Sequence, residues 1–206
     1  MTAVDWLTVG GALEAWTRIG LVAEVDGAGP GGRVPLFGAG IHVTGGADDH
    51  GLVGWEWSGL DSALTEIDGV PTLVTAPAAP LYAKHPLGAT RVDHVVLATN
   101  SLARTCGAIA DATGAPLKRL REAGPMRQGF HRVGGLVIEV VERVGLAEGP
   151  ASLWGLAICV EDLDAACAAI GDQNVGEPRD AVQPGRRIAT IADGAGLGVP
   201  VVLMTD

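Results

Sequence analysis

Residues 92–103 read VDHVVLATNSLA and residues 153–164 read LWGLAICVEDLD, and the comparison of these two stretches decides the fold. Each is an apolar run of strand-forming residues, then a polar break, then the start of a helix. Leu102 falls on Leu163. The same offset lays GLVIEVVE at 135–142 on GLGVPVVL at 196–203, and residues 126–131 on 187–192. One constant offset over so long a span marks a duplicated unit.

Each unit reads strand, helix, then three strands. In the first, 95–98 is a strand and Ser101 or Asn100 caps a helix over 102–113, which Gly114 ends. Strands follow at 116–121, 126–133 and 136–142, with turns at Gly124–Pro125 and Gly134–Gly135. In the second, 156–160 is a strand and Glu161 or Asp162 caps a helix over 163–170. Strands then fall near 176–182, 186–193 and 200–204. A more degenerate third copy opens the chain. Val4-Asp5-Trp6-Leu7 parallels Val92-Asp93-His94-Val95, and Gly51-Leu52-Val53 parallels Gly135-Leu136-Val137, with a helix at 12–19 and a strand at 34–44. The chain thus divides into a degenerate module at 1–60, a connector at 61–90 containing Pro71, Pro77, Pro80 and Pro86, and a tandem domain at 91–206.

Composition narrows the function classes. Hydrophobic residues are 48% and charged residues 18%, with mean hydropathy +0.30, so the chain can bury a core. The 31 Gly and 12 Pro are scattered between apolar runs and supply turns. Fourteen Lys and Arg against 24 Asp and Glu give a net charge of −10, the wrong sign for gripping nucleic acid. No apolar stretch approaches the ~18 residues of a bilayer span. The opening MTAVDWLTVGG lacks a basic region before its apolar residues, so a cytoplasmic protein is expected. Cys106, Cys159 and Cys167 form an odd set without metal-site spacing and read as reduced core residues.

A tandem βαβββ unit that begins RVDHVVLAT (91–99) and carries GGLVIEVVE (134–142) resembles the vicinal-oxygen-chelate superfamily, which includes glyoxalase I and the bleomycin-resistance proteins. The resemblance implies an α+β protein whose paired βαβββ modules form a curled mixed sheet with a cleft. It implies a small-molecule ligand and a divalent metal ion, chelated from the first and fourth strand of each module. On that pattern His94 and Glu139 are the metal ligands and the catalytic pair. The second module departs from it, with Gly155 and Pro200 at the matching positions. The implied function is a glyoxalase-like, lyase- or isomerase-type reaction at an incomplete metal site. A non-catalytic binder that sequesters a drug is the alternative.

Around that pair, His131, Gln128 and Arg132 are candidate substrate contacts. Trp6 and Trp55, with Trp57, are candidates to line the N-terminal module's concave face, or else to fill its core. Arg186 and Arg187 alternate in direction, so one of them at most enters the cleft. Glu142 lies three residues past Glu139 and points to the opposite face. The run GAGPGG at 27–32 imitates a dinucleotide fingerprint, yet the extended Arg33-Val34-Pro35 follows it where a helix is required. Asp48-Asp49-His50 reads as a solvated turn. An odd number of modules leaves one unpaired, which implies a homodimer.

Overall fold

A computed structural model describes residues 1–27, 29–46, 50–77, 83–124 and 126–206. Asp48, Asp49, Ala28, Pro80 and Pro125, which figure in the readings above, lie outside the described residues.

The first half runs β1 (Ala3–Gly10), α1 (Leu13–Arg18), β2 (Glu24–Val25), β3 (Gly32–Val34), β4 (Gly40–Val43), β5 (Gly51–Ser58), β6 (Glu66–Ile67) and β7 (Val70–Thr75). The second runs β8 (Ala89–Thr99), α2 (Leu102–Thr113), β9 (Arg119–Ala123), β10 (Met126–Val133), β11 (Leu136–Glu142), β12 (Ser152–Val160), α3 (Leu163–Ile170), β13 (Arg179–Asp180), β14 (Arg187–Thr190) and β15 (Val201–Met204). The result is an α+β protein with two mixed sheets, ordered β2-β3-β4-β1-β5-β7-β6 and β13-β14-β15-β12-β8-β11-β10-β9.

The helices begin and end for local reasons. The Ser101 side chain accepts from the Arg104 amide at the start of α2, and Gly114 closes it in the left-handed region at φ 70°. Asp162 accepts from the Ala165 amide at the start of α3. Helix α2 buries Leu102, Thr105, Cys106 and Ile109 against β10 and β11. Each buried Leu or Ile contributes about 1.5–3 kcal/mol of transfer free energy.

In the second sheet each βαβββ unit pairs its first strand with its fourth in parallel, β8 with β11 and β12 with β15, and the units join through the antiparallel pair β8–β12. The first sheet repeats this plan and corrects three expectations. β4, a short strand within 34–44, is the fourth strand of the opening module and runs parallel to β1. β5 is instead the first strand of a further module, antiparallel to β1. Residues 61–90 are not simply a connector, because β6 and β7 complete that module and β7 lies parallel to β5. No helix bridges β5 and β6, which is why the unit escapes a search for strand–helix repeats. The opening module therefore has its partner within the chain, and the reason for expecting a homodimer falls away.

The two halves share one hydrophobic core, drawn from both sheets. Backbone hydrogen bonds stitch them, Phe37 with Thr90 and Val92, Gly51 with Gly198, and Ala151 with Asp68. Asp68, in the turn between β6 and β7, adopts φ 48°. Its carboxylate accepts from Arg104 Nε at 2.8 Å and from Thr105 Oγ1 at 2.5 Å on α2.

Candidate functional site

Strand β8 delivers two adjacent residues to one face of the sheet. Strand neighbours ordinarily point to opposite faces. Here the register with β12 slips: His94 sits opposite Ala157 but Val92 opposite Ile158, so Asp93 is an extra, bulged residue. Asp93 Oδ2 thereby meets His94 Nδ1 at 2.9 Å. Asp93 Oδ1 accepts from Arg91 Nη1 at 2.8 Å and from Arg186 Nη2 at 3.1 Å. Burial opposes ionisation of Asp93. The hydrogen bonds from His94, Arg186 and Arg91 outweigh it and hold the carboxyl far below the ordinary range.

An ionised carboxylate only accepts, so neutral His94 carries its proton on Nδ1 and presents the lone pair of Nε2. That nitrogen lies 3.7 Å from Glu139 Oε2, too far to share a hydrogen bond. Glu139 comes from β11, in register with Val96. Its other oxygen accepts from Gln128 Nε2 at 2.7 Å. Burial pushes the Glu139 carboxyl up, and His94 when protonated, the Arg121 charge and the Gln128 hydrogen bond only partly offset it.

Alternation along β10 sorts the remaining candidates. Gln128 and Arg132 share the helix-free face with Glu139 and His94, and Arg132 is exposed. His131 does not, which corrects its placement in the cleft. It is 1% exposed on the side covered by α2, where its Nδ1 bonds the Ala115 carbonyl at 2.9 Å and its Nε2 has no partner. Its neighbour of the same parity, Gly129, shows the direction: a Cβ there would strike Cys106 and Leu102 of α2. Glu142 pairs with Arg127 on that other face. Arg186 turns inward to Asp93, and Arg187 turns outward to Asp164.

The tryptophans also divide. Trp55 and Trp57 are core residues, 1% and 0% exposed and stacked edge to face at 5.1 Å, so neither offers a ring face to a ligand. Trp55 Nε1 donates to Thr72 Oγ1. Trp6 holds the place of His94 in the first sheet, after an equivalent bulge at Asp5. Its ring lies over Gly40 beneath the Arg33 guanidinium, 4.8 Å away, and it too is buried.

The sequence reading missed a second polar cluster in the first sheet. His42 of β4 occupies the register position of Glu139, since it pairs with Thr8 as Glu139 pairs with Val96. His42 bonds Glu56 at 2.8 Å and Asp26 at 3.1 Å, and Arg33 approaches Glu56. His42 and Glu56 line the edge of a hollow of about 340 Å³. The signal was faint because β4 is only four residues long. A further hollow of about 600 Å³ lies beside Arg104 and Asp68. Arg104 and Asp68 there already pair with each other, whereas His94 Nε2 is unspent, which makes the sheet face the candidate site.

The residues do not fit a four-ligand metal centre. Of the four positions, His94 and Glu139 can ligate, while Gly155 and Pro200 cannot. Asp93 is committed to two arginines. Among the described residues no group of three or more His, Cys, Asp or Glu is placed to hold a metal ion. Cys159, beside Asp93, is pushed up to about 12 by burial and stays a neutral thiol.

Paired βαβββ modules with their polar pair on the helix-free face define a glyoxalase-like architecture. No protein-family model matches the chain, and no curated protein sequence matches it. Among solved structures, a mutant of 4-hydroxymandelate synthase from Streptomyces coelicolor superposes with TM-score 0.67 at 12% identity, over 98% of this chain and 92% of that one. Methylmalonyl-CoA epimerase from Mycobacterium tuberculosis matches 57% of this chain and 89% of its own, at 22% identity and TM-score 0.47. A protein from Bacillus halodurans matches 56% and 94%, at 17% identity and TM-score 0.47. The near-full-length likeness shows that the chain has the vicinal-oxygen-chelate fold. No helix among the described residues is long and apolar enough to cross a membrane.

Proposed function

We propose that the chain is a glyoxalase-like enzyme that moves a proton on a small carbonyl-containing substrate, an isomerase- or lyase-type reaction, with His94 and Glu139 as the acid–base pair. The line Asp93–His94–Glu139 carries this reading. Asp93 fixes the tautomer and the ring plane, leaving Nε2 as the base. Glu139, with its pKa raised by burial, is the partner that returns a proton to the substrate. A substrate group seated over the pair touches both, because the 3.7 Å gap keeps them from quenching each other. The scheme routes no step through a metal, since only His94 and Glu139 of the four pattern positions carry ligating side chains.

The test is solvent deuterium exchange, followed by proton NMR, into a panel of 2-oxo and 2-hydroxycarbonyl compounds. Exchange into at least one compound is expected, with losses of about 10²–10⁴-fold in His94→Gln and Glu139→Gln. Saturable binding without exchange across the panel favours the second reading, a sequestering binder. The apolar floor of Ala157, Cys159, Val202 and Met204 beside His94 supports that alternative.

A further inference from the structure

The hairpin of β9 and β10 is the most basic part of an acidic protein. Residues 118–133 hold Lys118, Arg119, Arg121, Arg127 and Arg132 against one acid, Glu122, in a chain of net charge −10. Register sorts these cations by face. Arg121 pairs with Gln128 and Arg119 with Phe130, while Phe130 pairs with Glu139 and Arg132 with Val137. Val137 in turn pairs with His94. Arg119, Arg121 and Arg132 therefore share the helix-free face with the His94–Glu139 pair, around the half-buried ring of Phe130. Arg127 is on the other face, neutralised by Glu142.

Among the described residues none of these three arginines has a carboxylate within ion-pair distance, although the chain has acids to spare. Arg119 and Arg132 are exposed and Arg121 is half-buried. Guanidinium groups gathered on one face repel one another, and a planar anion held in their forks relieves that repulsion. Gln128, opposite Arg121 on β9, donates its Nε2 to Glu139 and leaves its buried Oε1 without a partner, so the same patch has a polar valence to fill.

We infer that the ligand is a small anion, carrying a carboxylate or phosphate ester that Arg119, Arg121 and Arg132 hold while its apolar part lies on Phe130 and its reactive end reaches His94 and Glu139. This deepens the proton-transfer reading and rests on it for the reactive end alone. The acidic remainder of the surface repels a polyanion, so a compact ligand is the occupant that the charge distribution favours.

Amide NMR titrations of the full chain at low ionic strength, with malonate in one arm and inorganic phosphate in the other, test it. Shifts confined to 119–121, 128–132 and 139 are expected in at least one arm, and the tighter arm identifies the anion. Arg121→Gln and Arg132→Gln should each weaken that binding about tenfold. Arg18→Gln, at an exposed helix position, should leave it unchanged. The amide spectrum itself reports whether each variant is folded. No response in either arm overturns the inference, as does equal weakening by Arg18→Gln. Tighter binding of a DNA duplex at the same amides overturns it in favour of a polyanion. Anion binding without deuterium exchange leaves the inference standing and removes only the proton-transfer reading.

Discussion

Asp93 and His94 are neighbours in sequence whose side chains nonetheless meet, Oδ2 to Nδ1 at 2.9 Å, on one face of one strand. The bulge in the β8–β12 ladder makes this possible. The imidazole is thus oriented by the residue beside it, and that residue is anchored by Arg91 and Arg186.

Asp93→Asn should cost about 1–3 kcal/mol at pH 7, because the half-buried Arg186 loses its carboxylate and Arg91 keeps only Asp206. The folded pKa of Asp93 is lowered, so its contribution is present above the unfolded value near ~3.9 and is lost as pH falls through the folded value. Urea denaturation at neutral and at acid pH checks this. The gap between wild type and variant should narrow on acidification, and a constant gap refutes the assignment.

Glu139 has the opposite sign. Its folded pKa is raised, so its contribution is complete below the unfolded value near ~4.3 and is lost as pH rises through the folded value. Glu139→Gln removes the buried charge and should gain on wild type between pH 4 and pH 8. Melting temperatures across that range measure it. A variant that loses ground at the alkaline end refutes the shift.

Gly40→Ala should destabilise by about 1–3 kcal/mol, since its Cβ would sit 2.2 Å from Cζ3 of the Trp6 ring. In the Trp6→Leu background the same substitution should cost much less. A double-mutant cycle by chemical denaturation reads this coupling, and additivity would show that the ring moves aside freely.

Two ligands hold a first-row metal weakly. Titration of the protein with Zn²⁺ or Mn²⁺ at ~10 μM should show no stoichiometric uptake, and any weaker binding should vanish in His94→Gln. Stoichiometric uptake that survives in this variant would place a metal elsewhere in the chain.

Much of the fold could be read from local chemistry. Helices α2 and α3 span the residues that their caps indicate, because Ser101, Asp162 and Gly114 act within a few bonds of the backbone they cap. The short likeness GLV points to β5 as a fourth strand, whereas it opens a further module. Only pairing across the sheet shows that β4 lies between β3 and β1. Strand parity alone separates several candidates. Gln128 and His131 are three residues apart on one strand and cannot share a face, and Trp55 and Trp57 share the face that Glu56 avoids. Which face is which depends on where α2 lands, and Gly129, lacking a side chain, hides that landing site from the sequence. The bulge at Asp93 was illegible for a related reason, since it exists only in the register between β8 and β12.

Gly155 stands where the pattern of the first module has His94, with the carbonyl oxygen of Pro200 only 2.9 Å from where its Cβ would be. Gly54 backs onto Pro71 in the same way in the first sheet, at 3.0 Å. A histidine at position 155 would have to displace the backbone leading into β15, so no single codon change restores a ligand there. The divergence of this half-site is written into the main chain as well as the side chains. A symmetric four-ligand centre at these positions would require β12 and the backbone leading into β15 to be rebuilt together.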